Sequence, residues 1–186
     1  MYPDCDEILK MAPDYDIIPV CREIYADVIT PITLLRKLAA VSKRYYLLES
    51  VEGGEKWGRY SFLGFDPVMR VKCSCGKVTI EKDGEETEKV TDKPLEVLRE
   101  ILKDYKAPRL AGLPPFAGGF VGYFAYAMIG YAEPKLKIKK GTFNDYDMML
   151  FDKVIAYDHL KQKIQIVVNM KTGRTERGIC EELERC

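Results

Sequence analysis

Three short segments in the middle of the chain alternate apolar and polar residues, a pattern typical of strands that are buried on one face. They cover residues 67–75, 77–82 and 85–90. Asp83-Gly84, between the last two segments, is a dipeptide strongly typical of a two-residue hairpin turn. The sequence therefore predicts an antiparallel meander.

Further strands are predicted on both sides of this meander. They cover residues 21–29, 45–51, 59–65 and 118–124, followed by a long hairpin with arms at 147–158 and 164–169. The strand at 45–51 is strongly apolar and is predicted to be buried. Glycines leave little side chain in the strand at 118–124, which indicates close packing against a neighbouring element.

Helices are predicted between and after these strands. Thr30 followed by Pro31 supplies an N-cap and a first helical residue, and apolar residues recur at helical spacing over residues 31–42. A second helix with one apolar face is predicted over residues 94–105. A third is predicted from about residue 172 to the end of the chain.

The composition is that of a soluble globular protein. The chain has 186 residues, 47% apolar and 31% charged, enough to bury one sizeable core, and we treat residues 1–186 as one domain. Lys plus Arg and Asp plus Glu both number 29, so no net positive charge attracts nucleic acid. No stretch matches a signal peptide or a membrane span, which favours a cytoplasmic protein. The six cysteines are scattered, and we expect reduced thiols.

No residue pattern indicates a catalytic or metal site. The single histidine, His159, falls in the predicted hairpin turn, where we interpret it as an ordinary turn residue. Cys73 and Cys75 share one face of a predicted strand, and without further ligands at suitable spacing they favour small core residues over zinc. The glycines at 118–122 lack the Lys-Ser/Thr ending of a phosphate-binding loop.

One segment has the chemistry of a small-molecule site. Leu47-Leu48-Glu49-Ser50 closes an apolar strand with a carboxylate and a hydroxyl, and a glycine-rich loop then returns the chain to Arg59. This arrangement could bind a zwitterion with an apolar body, with Glu49 or backbone carbonyls at its ammonium and Arg59 or backbone amides at its carboxylate. The alternative is a strand-end salt bridge, because charged residues are common at strand ends.

Four blocks of sequence resemble the amino-terminal region of anthranilate synthase component I. They are LLES (47–50), GRYSFLG (58–64), PPFAGGFVGYFAY (114–126) and NDYDMMLFDKVIAYDH (144–159). They follow one another in the family's order across nearly the whole chain. Aminodeoxychorismate synthase component I shares the architecture and parts of the motif set. The segment VEGGEKWGRYSFLG (51–64) nevertheless favours the anthranilate branch.

The resemblance implies an α+β fold in which two antiparallel sheets pack roughly orthogonally, with helices outside. It also implies a lyase subunit that converts chorismate to anthranilate with magnesium, using ammonia from a glutamine amidotransferase subunit (component II). In that family the chorismate and magnesium residues belong to a carboxy-terminal portion that this chain lacks. The resemblance therefore implies that the chain alone is inactive and holds no cofactor.

The same resemblance implies a regulatory role for this portion, which supplies part of the pocket for L-tryptophan, the feedback inhibitor. Ser50 is expected to contact the bound amino acid, Leu48 and Glu49 to line its pocket, and Arg59 to approach from the returning strand. The remaining contacts would come from the carboxy-terminal portion. A free-standing amino-acid-binding module with no enzyme attached remains the alternative.

Overall fold

The computed structural model of the chain describes residues 1–50, 58–133, 135–136, 138, 141–173 and 175–185, without the side chains of 176, 177 and 185. The chain divides into two units. The first unit combines Met1–Pro67, Tyr105–Gly119 and Phe151–Cys186, and the second combines Val68–Asp104 and Phe120–Leu150. Each unit contains one five-stranded sheet.

The elements follow in a strand-rich order. The helices are α1 (Cys5–Met11), α2 (Pro31–Val41), α3 (Pro94–Lys103), α4 (Ile129–Ala132) and α5 (Glu176–Arg185), with a 3-10 turn at Tyr126–Met128 before α4. The strands are β1 (Ile17–Tyr25), β2 (Tyr45–Glu49), β3 (Tyr60–Phe65), β4 (Met69–Ser74), β5 (Lys77–Lys82), β6 (Glu85–Val90), β7 (Gly119–Phe124), β8 (Tyr146–Phe151), β9 (Lys153–Asp158) and β10 (Lys163–Lys171). The predicted α+β class with two antiparallel sheets is confirmed, while the orthogonal packing of the sheets stays a prediction.

The first unit has the strand order β1-β10-β9-β3-β2, and every strand is antiparallel to its neighbours. Helix α2 begins as the sequence predicts, because Thr30 Oγ1 accepts a hydrogen bond from the Thr33 amide at 3.2 Å and Pro31 fills the first turn. Among the described residues, no helix is both long and apolar enough to cross a membrane.

The second unit has the strand order β6-β5-β4-β8-β7. Its β4-β5-β6 meander is the predicted one, and both of its turns use residues in the left-handed region: φ is 53° at Cys75, 78° at Gly76, 53° at Asp83 and 84° at Gly84. These values fit the type I′ turn, whose twist matches that of antiparallel strands. Turn chemistry therefore sets the register of the meander.

The long arm predicted over residues 147–158 is wrong as a single strand. It forms β8 in the second unit and β9 in the first, with a break at Asp152. The Asp152 carbonyl accepts hydrogen bonds from the Asn169 amide at 2.8 Å and from Asn169 Nδ2 at 3.0 Å. Apolar residues continue on both sides of Asp152, so the alternation pattern does not reveal the break.

Burial corrects two further predictions. Cys73 is fully buried, as expected of a core residue, but Cys75 is exposed in the turn and does not share its face. The strand predicted to be buried, β2, lies at the edge of its sheet, and Leu48 is 47% exposed. An apolar composition therefore does not distinguish an edge strand from a central one.

Several predicted boundaries shift. Strand β1 begins at Ile17, before its predicted start, and α5 begins at Glu176 rather than near residue 172. Helix α1 was not predicted; Asp4 and Glu7 cap its first turn reciprocally at 2.9 and 3.0 Å. Most of the glycine-rich loop, residues 51–57, and Cys186 lie outside the described residues.

The expectation of reduced thiols is wrong for Cys5 and Cys180. Helices α1 and α5 pack together and bring the two Cα atoms to 5.8 Å, within the range a disulfide requires, and the sulfurs are bonded. The two helices share an apolar core with strands β1 and β10, formed by Ile8, Ile18, Val20, Met170, Ile179 and Leu183. The disulfide therefore links residues near the two ends of the chain through one core.

Reduction of this disulfide should lower stability. The bond joins residues 175 positions apart, and releasing a loop of that size costs up to about 5 kcal/mol in the chain-entropy account. We expect dithiothreitol to lower the urea midpoint of the purified chain, and Cys5→Ser to lower it equally and to abolish the reagent's effect. Cys75→Ser, at the exposed free thiol, should respond to dithiothreitol like the unmodified chain; equal midpoints with and without reductant would contradict the prediction.

Gly122→Ala should destabilise the second unit. A Cβ atom at this position would lie 2.0 Å from the Asp147 carbonyl oxygen and 2.8 Å from Met148 Cα, both backbone atoms of β8. We expect a loss of about 3 kcal/mol from such overpacking, measured by urea unfolding. Gly130→Ala in α4 is the matched control: an added Cβ meets nothing within 4 Å there, so stability should not fall.

Candidate functional site

The residues predicted to bind an amino acid lie at one end of the first unit's sheet. Strand β2 ends at Glu49 and is followed by Ser50, while the neighbouring β3 begins at Tyr60, directly after Arg59. The register pairs Glu49 with Ser61. Antiparallel pairing therefore brings Arg59 back to the end of the sheet at which β2 stops.

Strand alternation distributes the motif over both faces of the sheet. Leu48 pairs with Phe62 and shares its face, whereas Glu49 pairs with Ser61 on the opposite face. Ser50 is exposed and directly follows the last residue of β2. The predicted residues are thus neighbours at one strand end, but they do not converge on one face.

The face that carries Leu48 is aromatic. The ring of Phe62 meets the ring of Phe116 edge-on, with centroids 5.7 Å apart, and stacks on Tyr60 at 5.8 Å. Since Leu48 is about half exposed, it extends this aromatic surface to the edge of the sheet.

Arg59 forms an ion pair with Asp158 at the end of β9. Its Nη2 lies 2.6 Å from Oδ2 and its Nε lies 3.2 Å from both carboxylate oxygens. The Asp158 side chain is buried, while that of Arg59 remains 28% exposed and lies over the Tyr60 ring at 4.9 Å. The strand-end salt bridge that was the alternative to a zwitterion site is therefore present.

Hydrogen bonding decides the charge of Asp158. Burial raises the pKa of this carboxyl group, but hydrogen bonds from Arg59 and from the backbone amides of Lys161 and Leu160 outweigh burial and lower the pKa below its ordinary value. Asp158 is consequently a carboxylate at neutral pH, and it holds Arg59 in place.

A chain of hydrogen bonds connects Glu49 with His159 on the other face. The Ser61 hydroxyl donates to Glu49 Oε1 at 3.1 Å, and Ser61 Oγ lies 2.7 Å from His159 Nε2. Ser61 is fully buried. His159 does lie in a turn, as predicted, but its ring is part of this polar cluster.

The sequence pattern did not predict Ser61, Asp158 and His159 as members of the site. They belong to β3, to β9 and to the turn after it, and only strand pairing places them beside Glu49 and Arg59. The available signal was weak: the polar pair Asp158-His159 ends an apolar strand, as Glu49-Ser50 does.

The described residues offer no group of three or more His, Cys, Asp or Glu side chains that could hold a metal ion. Magnesium stays a prediction for the complete enzyme, because the family resemblance places its ligands in the carboxy-terminal portion.

Asp158→Asn should destabilise the fold in a pH-dependent way. Because the folded-state pKa of Asp158 is lowered, its contribution is complete above the unfolded pKa near 4 and disappears as the pH falls through the folded value. We expect a melting temperature lower by about 5 °C at pH 7, and a smaller difference below pH 4. Asp83→Asn, at an exposed turn, is the control; a pH-independent deficit for Asp158→Asn would contradict the assignment.

Comparison with known proteins finds relatives along nearly the whole chain. It is 43% identical over 188 aligned residues to anthranilate synthase component 1 of Acetivibrio thermocellus, an alignment that covers 99% of this chain and 38% of the relative. It is 36% identical to anthranilate synthase component 1 of Aquifex aeolicus, covering 97% of this chain and 36% of the relative. No family model matches the chain.

The fold leads to the same family. The crystal structure of anthranilate synthase component I from Streptococcus pneumoniae matches 87% of this chain and 35% of its own, with a TM-score of 0.51 and 25% sequence identity. The chain thus spans little more than a third of the length of the curated relatives it matches. Sequence similarity along nearly the whole chain and a shared fold together show that the chain belongs to the anthranilate synthase component I family.

Proposed function

We propose that this chain is the amino-terminal, tryptophan-sensing portion of an anthranilate synthase component I, a cytoplasmic enzyme of tryptophan biosynthesis. Its relatives carry that enzyme's name and are more than twice as long as the chain. The observation that carries the sensing role is the end of β2, where a half-exposed leucine, a hydroxyl and a carboxylate lie beside an arginine held by Asp158.

The reaction itself belongs to the rest of the complete subunit in this proposal. That subunit is a lyase that converts chorismate to anthranilate with magnesium, and it receives ammonia from a glutamine amidotransferase subunit. The described residues of this chain contain no group of three or more His, Cys, Asp or Glu side chains that could hold a metal ion. In this proposal the chain alone is inactive, and its contribution is to regulation.

The proposed tryptophan site matches the three chemical parts of the ligand. The indole ring packs on Leu48 and the aromatic face beside it, and the Ser50 hydroxyl contacts the amino-acid group. Glu49 faces the ammonium, and the exposed part of the Arg59 guanidinium faces the carboxylate. Because Asp158 already takes up one side of Arg59, its attraction for the ligand's carboxylate is partial.

An edge strand suits a ligand of this kind. Among the described strands, β2 has only β3 as a neighbour, so one side of its backbone faces away from the sheet. Its end gives access to both faces at once, which lets one small ligand reach Leu48 from one side and Glu49 from the other. The split of the motif over two faces is therefore compatible with a single site across the strand end.

Inhibition would follow from linkage between this site and the catalytic portion. If tryptophan binds more tightly to a conformation in which the catalytic portion is misaligned, its binding shifts the population toward that conformation. A coupling free energy of about 1 to 3 kcal/mol would change chorismate affinity by about 5- to 150-fold.

Ser50→Ala in the complete subunit should weaken inhibition by tryptophan. Loss of one hydrogen bond to the amino-acid group is expected to raise the half-inhibitory concentration about 10-fold. The measurement is the rate of anthranilate formation at increasing tryptophan concentration, with each curve normalised to the uninhibited rate of the same variant.

The matched control is Ser74→Ala, at another exposed strand end, in the second unit. It should leave the half-inhibitory concentration unchanged. If Ser50→Ala and Ser74→Ala give the same inhibition curve as the unmodified subunit, Ser50 does not contact tryptophan and the proposed site is wrong.

A further inference from the structure

A buried hydroxyl connects the exposed Glu49 carboxylate to a histidine. Ser61 is fully buried between its two partners, with 3.1 Å from its Oγ to Glu49 Oε1 and 2.7 Å to His159 Nε2. Nothing in the proposed tryptophan site uses Ser61 or His159. Because the hydroxyl is buried, it cannot attack a substrate, and the serine-histidine contact is not that of a nucleophile with its base.

The direction of the hydrogen bonds follows from the number of protons. A serine hydroxyl has one proton, and an ionised carboxylate only accepts, so that proton is directed to Glu49. The second contact of Ser61 Oγ must then be an acceptor contact, which requires a proton on His159 Nε2. The chain therefore runs from the imidazole N–H through the hydroxyl to the carboxylate.

His159 is itself held firmly. Its backbone amide donates to the Arg59 carbonyl at 2.8 Å, and its ring packs against Tyr157 with centroids 4.7 Å apart. Its carbonyl accepts from Gln162 Nε2 at 2.8 Å, and the Tyr157 hydroxyl donates to Gln162 Oε1 at 3.3 Å. The imidazole thus has a defined position from which to orient Ser61.

Glu49 gains from being ordered before the ligand binds. It is exposed at the end of an edge strand, and a glutamate side chain loses considerable rotamer entropy when it is ordered. A carboxylate that is already ordered binds a cation without that cost at the moment of binding. Fixing one carboxylate oxygen through Ser61 restricts the side chain before the ligand arrives.

We propose that Ser61 and His159 are positioning residues, which hold the Glu49 carboxylate in place for the ammonium group of the bound amino acid. Neither residue touches the ligand; both act through Glu49. The inference rests on the proposed function, since it assigns the ammonium contact to Glu49. It identifies His159, the single histidine of the chain, as a determinant of tryptophan affinity.

The test is a double-mutant cycle on tryptophan binding, measured by titration calorimetry on the complete subunit. His159→Leu and Ser61→Ala should each raise the Kd for tryptophan about 5- to 10-fold. In a Glu49→Ala background, His159→Leu should change the Kd by less than about 2-fold, because the carboxylate it positions is absent. His159→Gln, whose amide N–H can replace the imidazole donor, should keep an affinity close to that of the unmodified subunit.

Ser42→Ala is the matched control. Ser42 is also a buried serine of the first unit, but its hydroxyl bonds to the Arg44 backbone, so its loss should not alter tryptophan binding. Urea unfolding of each variant verifies that it is folded.

The outcomes separate the two proposals. If the unmodified subunit binds no tryptophan, both the proposed function and this inference are wrong. If the unmodified subunit binds but His159→Leu and Ser61→Ala bind equally well, only the positioning role is wrong. The same conclusion holds if the loss from His159→Leu is as large without Glu49 as with it, because His159 then does not act through Glu49.

Discussion

The register of β3 between β2 and β9 is the constraint on which the candidate site depends. It pairs Glu49 with Ser61 on one side, and Tyr60 with Asp158 on the other. Because side chains alternate along a strand, a slip of one residue would move every polar group to the opposite face. The ion pair of Arg59 with Asp158 and the chain from His159 to Glu49 exist only in this register.

Two carboxylates at this end of the sheet, those of Asp158 and Glu49, have different roles. The buried Asp158 carboxylate is satisfied by a guanidinium and by backbone amides, so it stabilises the turn after β9 and fixes Arg59. Glu49, by contrast, is exposed and has only one oxygen fixed by Ser61 among the contacts described. A rigid pair next to a partly fixed carboxylate is a suitable framework for recognising a small zwitterion.

The fold was predictable where local chemistry decides it. Thr30-Pro31 marks the start of α2, and Asp83-Gly84 favours a tight turn whatever the surrounding tertiary structure. Both predictions are confirmed. The site was predictable only in part. Residues 48–50 and 59 stand out as polar groups after an apolar strand, but Ser61 and His159 gain their role from partners far away in the sequence.

The sequence by itself determined the meander and the start of helix α2, because turns and caps depend on residues next to one another. It also carried the family resemblance, which the relatives confirm. Only the tertiary structure decided that β2 is an edge strand, that residues 147–158 divide between two sheets, and that Cys5 meets Cys180. These features depend on pairing between distant segments, which hydrophobic periodicity within one segment does not encode.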